Sequence, residues 1–170
     1  MGKSPHIVWL DRKTGERKII ANLWLRVAEA CDGPVPANTL LPVTEWLERR
    51  DELLGRRDVG VWFRPEDEPE ALGADAVQLA LIAVDFPAFV DGRGFTIGRL
   101  LRERYGFTGE LRAVGDVFKD TMFYLKRCGF DAFEVRADKD VEEAAKGLDD
   151  FDEVYQAAVD QPLPLFRRRA

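Results

Sequence analysis

The sequence predicts an α/β protein, a compact parallel β-sheet built from βα crossover units that either stays open or curls into a partial barrel. Three observations predict it. Gln78–Val84 is an almost wholly apolar run, suited to a central strand covered on both faces. From Val59 to Arg136 the apolar spacing alternates between strand and helix periods, in the order strand, loop, strand, helix, strand, helix, strand. At 170 residues the chain is long enough for one substantial core and too short for a complete (β/α)8 barrel.

Each element has its own local reason. His6–Ile20 carries an apolar group, the polar stretch DRKTGE and a second apolar pair, which reads as a hairpin or extended arm turning near Thr14-Gly15. Residues 1–40 are expected to form this variable N-terminal hairpin or arm of a single domain. Asp32-Gly33-Pro34-Val35-Pro36 marks a loop, and Leu41-Pro42-Val43 is extended or turning. Thr44 is placed to cap a helix that starts near Glu45 and stops at Gly55. Val59–Phe63 reads as a strand, and Arg64–Glu70 is an acidic, proline-containing loop. Ile97, Leu100 and Leu101 share one face of a helix over Thr96–Arg104. Glu110–Val114 and Ala132–Arg136 are short strands on either side of a Val117–Cys128 helix that Gly129 terminates. Lys139–Lys146 and Phe151–Ala158 read as further helices, and 159–170 as a flexible tail. Crossovers of this length make neighbouring strands parallel and bring their carboxyl ends to one rim.

A formal charge of −6 argues against a nucleic-acid partner or an anionic membrane surface. A local excess of cations lies within residues 93–136, with nine Lys/Arg against six Asp/Glu. No apolar stretch is long enough to span a membrane, and the Met1–Pro5 start lacks the apolar run of a secretory signal, so a cytoplasmic location is expected. Cys31 and Cys128 form no CxxC pair, and His6 is the single histidine, so no metal-ligand cluster is evident.

The most informative stretch is Asp85-Phe86-Pro87-Ala88-Phe89-Val90-Asp91-Gly92-Arg93-Gly94-Phe95-Thr96, which leaves a buried strand, crosses a loop and enters a helix. Gly92 and Gly94 allow close backbone approach. Arg93, together with the N–H groups of the following helix start, favours an anion. In the structural alternative, Asp91 caps the loop or pairs with Arg93 and the glycines turn the chain. The glycines match neither the dinucleotide fingerprint nor a phosphate-binding loop.

Asp116 follows the next strand, where it can orient Arg93, act as a base or cap a helix. Asp85 ends the preceding strand, so Asp85 and Asp116 are the candidate acid/base pair. Arg136 reaches the same rim, and Arg93 with Arg136 is the candidate anion clamp. Arg112 fits a surface or interstrand ion pair, while Arg99 and Arg102 fit helix-surface pairs. Phe86, Phe89 and Phe95 either surround a ligand beside Asp91 and Arg93 or pack in the core. A flavin or nicotinamide is compatible with such a fold, but no signature identifies either.

The words LLPVTEW and LALIAVDFPAFVDGRGFTIGRLLRERYGFTGELRAVGDVFKDTMFYLKRCGFDAFEVR resemble the bacterial DUF934 family, and the likeness extends over about Ile7–Ala158. Asp91–Phe95 match its DGRGF segment, Gly115-Asp116 its GD, and Arg127–Phe130 its RCGF. Members of the family are described as oxidoreductases associated with sulfite reduction. The resemblance therefore implies a role in sulfate assimilation or cysteine supply, with sulfite reductase or another sulfate-assimilation enzyme as partner. It implies an accessory protein that binds or delivers an oxyanion or assists the reductase, since the chain lacks the clustered cysteines of an iron–sulfur centre. The alternatives are an oxidoreductase acting on a small anionic sulfur metabolite, and a non-catalytic homo-oligomerisation or regulatory module.

Overall fold

Eight strands form one curled, mixed sheet in the computed structural model, which describes residues 6–29, 32–88, 90–150 and 156–168. The strands are β1 (His6–Leu10), β2 (Arg17–Ala21), β3 (Leu25–Arg26), β4 (Thr39–Pro42), β5 (Val59–Phe63), β6 (Leu81–Phe86), β7 (Glu110–Gly115) and β8 (Ala132–Glu134). Their spatial order is β2-β1-β8-β7-β6-β5-β4-β3. From β3 to β8 every neighbouring pair is parallel, as the crossover lengths require. The β1–β2 hairpin joins antiparallel, with β1 set against β8 through Ile7↔Glu134, Val8↔Phe133 and Trp9↔Ala132.

The curl follows from the connectivity. β2 and β3 are the two edges of the sheet, yet only Asn22, Leu23 and Trp24 separate them in the chain. Such a short link spans at most ~14 Å between Ala21 and Leu25, so the edges must approach one another. Alternation along the strands then gives an outer and an inner face. Val61, Phe63, Ile82, Val84, Leu111, Ala113 and Phe133 point outward into the main core. There they meet Trp46 and Leu53 of α1 (Val43–Glu48) and α2 (Arg50–Leu53), Ile97 and Leu101 of α3 (Arg93–Glu103), and Met122 and Leu125 of α4 (Lys119–Arg127). The inner face holds a smaller cluster, Leu40, Trp62, Leu81, Ala83 and Val114, and Trp24 packs over it.

Several boundaries differ from the sequence reading. Helix α1 starts at Val43, directly after Pro42, whose ring-fixed φ of −52° sets up the turn; Thr44 lies inside the first turn and caps nothing. Residues Gly73–Gln78 form a tight 3-10 turn, so β6 begins at Leu81 and carries Asp85 and Phe86 within the sheet, opposite Val114 and Gly115. Helix α3 starts at Arg93, three residues before Thr96. Helix α5 (Val141–Ala145) is capped by Asp140, whose carboxylate accepts from the Glu143 N–H at 2.8 Å. The helix expected over 151–158 falls largely outside the described residues, as does Cys31. A short α6 (Leu165–Arg168) follows a segment held by Arg127, which bonds Asp160 at 2.7 Å and the Gln156 carbonyl.

Arg102, read as a helix-surface group, is buried, and so is Arg112, read as part of a surface or interstrand ion pair. Arg112 points into the sheet interior, where it donates to Glu110 at 2.8 and 3.1 Å and to the Asn22 side chain at 2.9 Å. Arg102 lies beneath α3 and donates to the carbonyls of Gly129, Phe107 and Gly109, with Asp131 3.1 Å away. Period-two spacing places Arg112 on the less apolar face, and curling converts that face into an interior.

Candidate functional site

The carboxyl ends of the parallel strands are where α/β sheets usually build ligand sites. This rim collects charged groups from four strands. Gly115 ends β7 at φ +95°, and a Cβ there would lie 2.5 Å from the Phe86 carbonyl oxygen and 2.7 Å from Asp85 Oδ1. Only glycine allows the two strand ends to approach this closely. The approach is fixed by the Asp116 N–H, which donates to the Phe86 carbonyl at 2.6 Å.

Asp116 is turned toward Arg136, whose Nη1 donates to it at 2.7 Å. The other edge of the same guanidinium, Nε and Nη2, grips Asp138 with two bonds of 3.0 Å. Helix α4 takes its amino-terminal cap from Phe118 and Thr121, which leaves Asp116 free of that task. On the inner face, Asp85 pairs with Arg26 of β3 at 3.2 Å, and Arg26 also stacks over the Trp62 ring at 5.0 Å. Trp62 is held in place by its indole N–H, which donates to the Val27 carbonyl at 2.8 Å.

Between these pairs stands Glu134, at the end of β8. Burial raises its carboxyl pKa above the ordinary glutamate value, Arg26 and Arg112 oppose that rise, and Asp85 adds to it. Its Oε2 accepts from the Asn22 amide at 3.4 Å. Arg26, Glu134, Arg136 and Asp138 line one cleft of about 400 Å³. A second, also about 400 Å³, is lined by Pro87, Ala88 and Asp116 and shares Gly115 and Arg136 with the first. Two guanidinium groups in one cleft can bind an oxyanion, and a half-buried carboxyl of raised pKa lining the same cleft can exchange a proton with it.

Of the residues singled out in the sequence, Asp116 and Arg136 are in contact and Asp85 lies beside them across Gly115. Arg93 lines neither cleft. It donates to Asp91 from Nε at 3.0 Å and from Nη2 at 2.7 Å, and its backbone N–H bonds the same carboxylate. Those bonds hold the Asp91 carboxyl below the usual range. Gly92 opens α3 without crowding, while Gly94 sits against the Phe86 ring. Phe86 is buried on the helix-covered side, where it stacks at 5.0 Å on Phe95, which in turn lies 4.7 Å from Tyr124. Phe89 lies outside the described residues.

Sequence reasoning passed over Arg26 and Glu134. The signal for Glu134 was its alternation with Phe133, which puts a carboxylate on the inner side of an otherwise apolar strand. Arg26 stands two residues after Trp24 and so on the same side of the chain, but its partner Asp85 is remote in the sequence.

Among the described residues, no group of three or more His, Cys, Asp or Glu is placed to hold a metal ion, and no helix is long and apolar enough to cross a membrane. No curated protein and no solved structure matches the chain. The model of DUF934, a bacterial protein of unknown function, matches residues 60–166, which covers more than half of the chain and every rim residue except Arg26, and the chain therefore belongs to that family.

Proposed function

We propose that the protein binds a small oxyanion of the sulfite or sulfate class in the rim cleft, and that it serves assimilatory sulfite reduction in the cytoplasm as an accessory that delivers the anion or assists sulfite reductase. The observation that carries the binding step is that Arg26, Arg136 and the raised-pKa Glu134 share one cleft. The sulfur context comes from the family resemblance.

The bidentate grip of Arg136 on Asp138 has the geometry with which guanidinium holds an oxyanion. Asp138 is largely exposed, and an exposed pair of this kind contributes little stability, so a ligand can take its place. Protonation of Glu134 removes a negative charge from the cleft. Anion binding is therefore coupled to proton uptake at Glu134.

Sulfate titration tests this directly, because sulfate keeps its double negative charge throughout the range in which a carboxyl of raised pKa titrates. Wild-type affinity is expected to rise as pH falls through the Glu134 pKa. Glu134→Gln should bind independently of pH in that range, and Arg136→Ala should bind roughly tenfold or more weakly. A pH dependence retained in Glu134→Gln would exclude Glu134 as the coupled group. For the biological step, the protein is mixed with purified sulfite reductase, sulfite and reduced nicotinamide while sulfide formation and complex mass are followed. Partner-dependent stimulation supports the accessory role, whereas nicotinamide consumption by the protein alone would favour an independent oxidoreductase.

A further inference from the structure

The amino-terminal end of the parallel sheet carries a second cavity, of about 490 Å³, between the end of α3 and the segment that follows residue 156. Among the described residues its polar lining is dominated by Arg12, Arg99 and Arg102, against the carboxylate of Glu103. Arg102 is a fixed cation on the floor, oriented by the carbonyls of Gly129, Phe107 and Gly109 and by Asp131 at 3.1 Å. Arg99 uses its Nε on Glu103 at 3.1 Å, and its Nη1 and Nη2 bond no described residue. Arg12 is exposed and makes no hydrogen bond or ion pair among the described residues.

Among the described residues the charges do not balance: Glu103 pairs with Arg99, and Asp131 pairs with Arg102 and also attracts Arg12 without contact, so two carboxylates face three guanidinium groups. The proximity of Arg12 is felt electrostatically, since it adds to the lowering of the Arg102 pKa that burial begins. Like charges gathered at one cavity oppose each other until an anion enters. The apolar wall is formed by Phe107, Val159 and Pro162, and the Phe107 ring lies 5.2 Å from the Arg102 guanidinium. That wall is anchored, because the Val159 N–H donates to the Arg127 carbonyl at 3.2 Å and Asp160 pairs with Arg127 at 2.7 Å.

We infer that this cavity is a second binding site, distinct from the rim cleft, for a small organic anion. The anionic group sits between Arg12, Arg99 and Arg102, and a short apolar body lies against Phe107, Val159 and Pro162. The exposed Thr108 lies at the edge of the cavity and offers a hydroxyl to the same ligand. The site lies at the opposite end of the strands from Glu134 and Arg136, so the two sites can be filled together.

Phenyl phosphate is the probe, with inorganic phosphate for comparison, titrated at low salt into the full chain by calorimetry. Phenyl phosphate is expected to bind more tightly than phosphate. Arg12→Ala should weaken it roughly tenfold or more without lowering the thermal midpoint, because Arg12 holds no structural bond and its loss relieves repulsion with Arg102. Arg136→Ala should leave this binding unchanged, which separates it from the rim reading. Unchanged affinity in Arg12→Ala would overturn the site, as would loss of binding in Arg136→Ala alone. Equal affinity for the two probes would overturn the organic class of the ligand, and absence of binding by either would overturn the proposal as a whole.

Discussion

Asp131 meets Arg102 where β1, β7 and β8 begin or end, and the two strain against burial in opposite directions. Its carboxylate accepts from the Leu111 N–H at 2.7 Å as well as pairing with Arg102, yet burial still pushes the carboxyl up to about 6 and pulls Arg102 down to about 10. A carboxyl whose pKa is higher in the folded than in the unfolded chain binds more protons when folded. Its stabilising contribution is therefore complete at low pH and is lost as pH rises from the unfolded value near 3.8 through about 6. The stability of the wild type relative to Asp131→Asn is expected to be greater at acid than at neutral pH, by up to about 3 kcal/mol. Urea denaturation at both pH values checks this, and the opposite trend would mean that the ion pair outweighs desolvation. At this scale the sequence was least legible. It offered Asp116 and Arg136 for one rim and the structure joins them, but Arg102 and Asp131 lie far apart in the chain and nothing local announces their burial.

The start of α3 shows what one helix requires of its neighbours. Gly92 has a φ of −86° and open space where a Cβ would stand, with nothing within 4 Å, whereas a Cβ on Gly94 would lie 2.6 Å from the Phe86 ring. The two glycines of the DGRGF word should therefore respond with opposite signs. Gly92→Ala is expected to be neutral or to stabilise by about 0.5 kcal/mol, and Gly94→Ala to destabilise by about 1–3 kcal/mol through overpacking. Thermal unfolding of both variants measures the contrast, and similar effects would show that Phe86 moves freely aside. The elements themselves were largely legible, since apolar spacing located β5, β7 and α4 almost to the residue. Boundaries slipped where one cue served two conformations: the apolar run before Leu81 suits a tight turn as well as a strand, and Gly94 did not reveal that helix α3 already included it.

For the whole molecule, the three-residue link between the edge strands determines shape. Asn22 ties the interior Arg112 to the rim Glu134, and Trp24 covers the inner cluster of Leu40, Trp62, Leu81, Ala83 and Val114. Trp24→Ala should cost about 2 kcal/mol, less than a fully buried tryptophan because this one remains partly exposed. Urea denaturation reads that loss, and an unchanged midpoint would mean that the inner face needs no cover. The sequence left open sheet and partial barrel unresolved because curling depends on the pairing of β1 with β8, a contact that no local pattern encodes.

That pairing also sets an order of events. Ile7 lies opposite Glu134, so the hairpin, synthesised before the strand it joins, waits for all the intervening residues before its second edge finds a partner. Closing so long a loop is entropically costly and places this step late in folding. Until then β1, with the apolar Ile7, Val8 and Leu10, is a strand with a bare edge, and the newborn chain is at its most aggregation-prone just before β8 emerges.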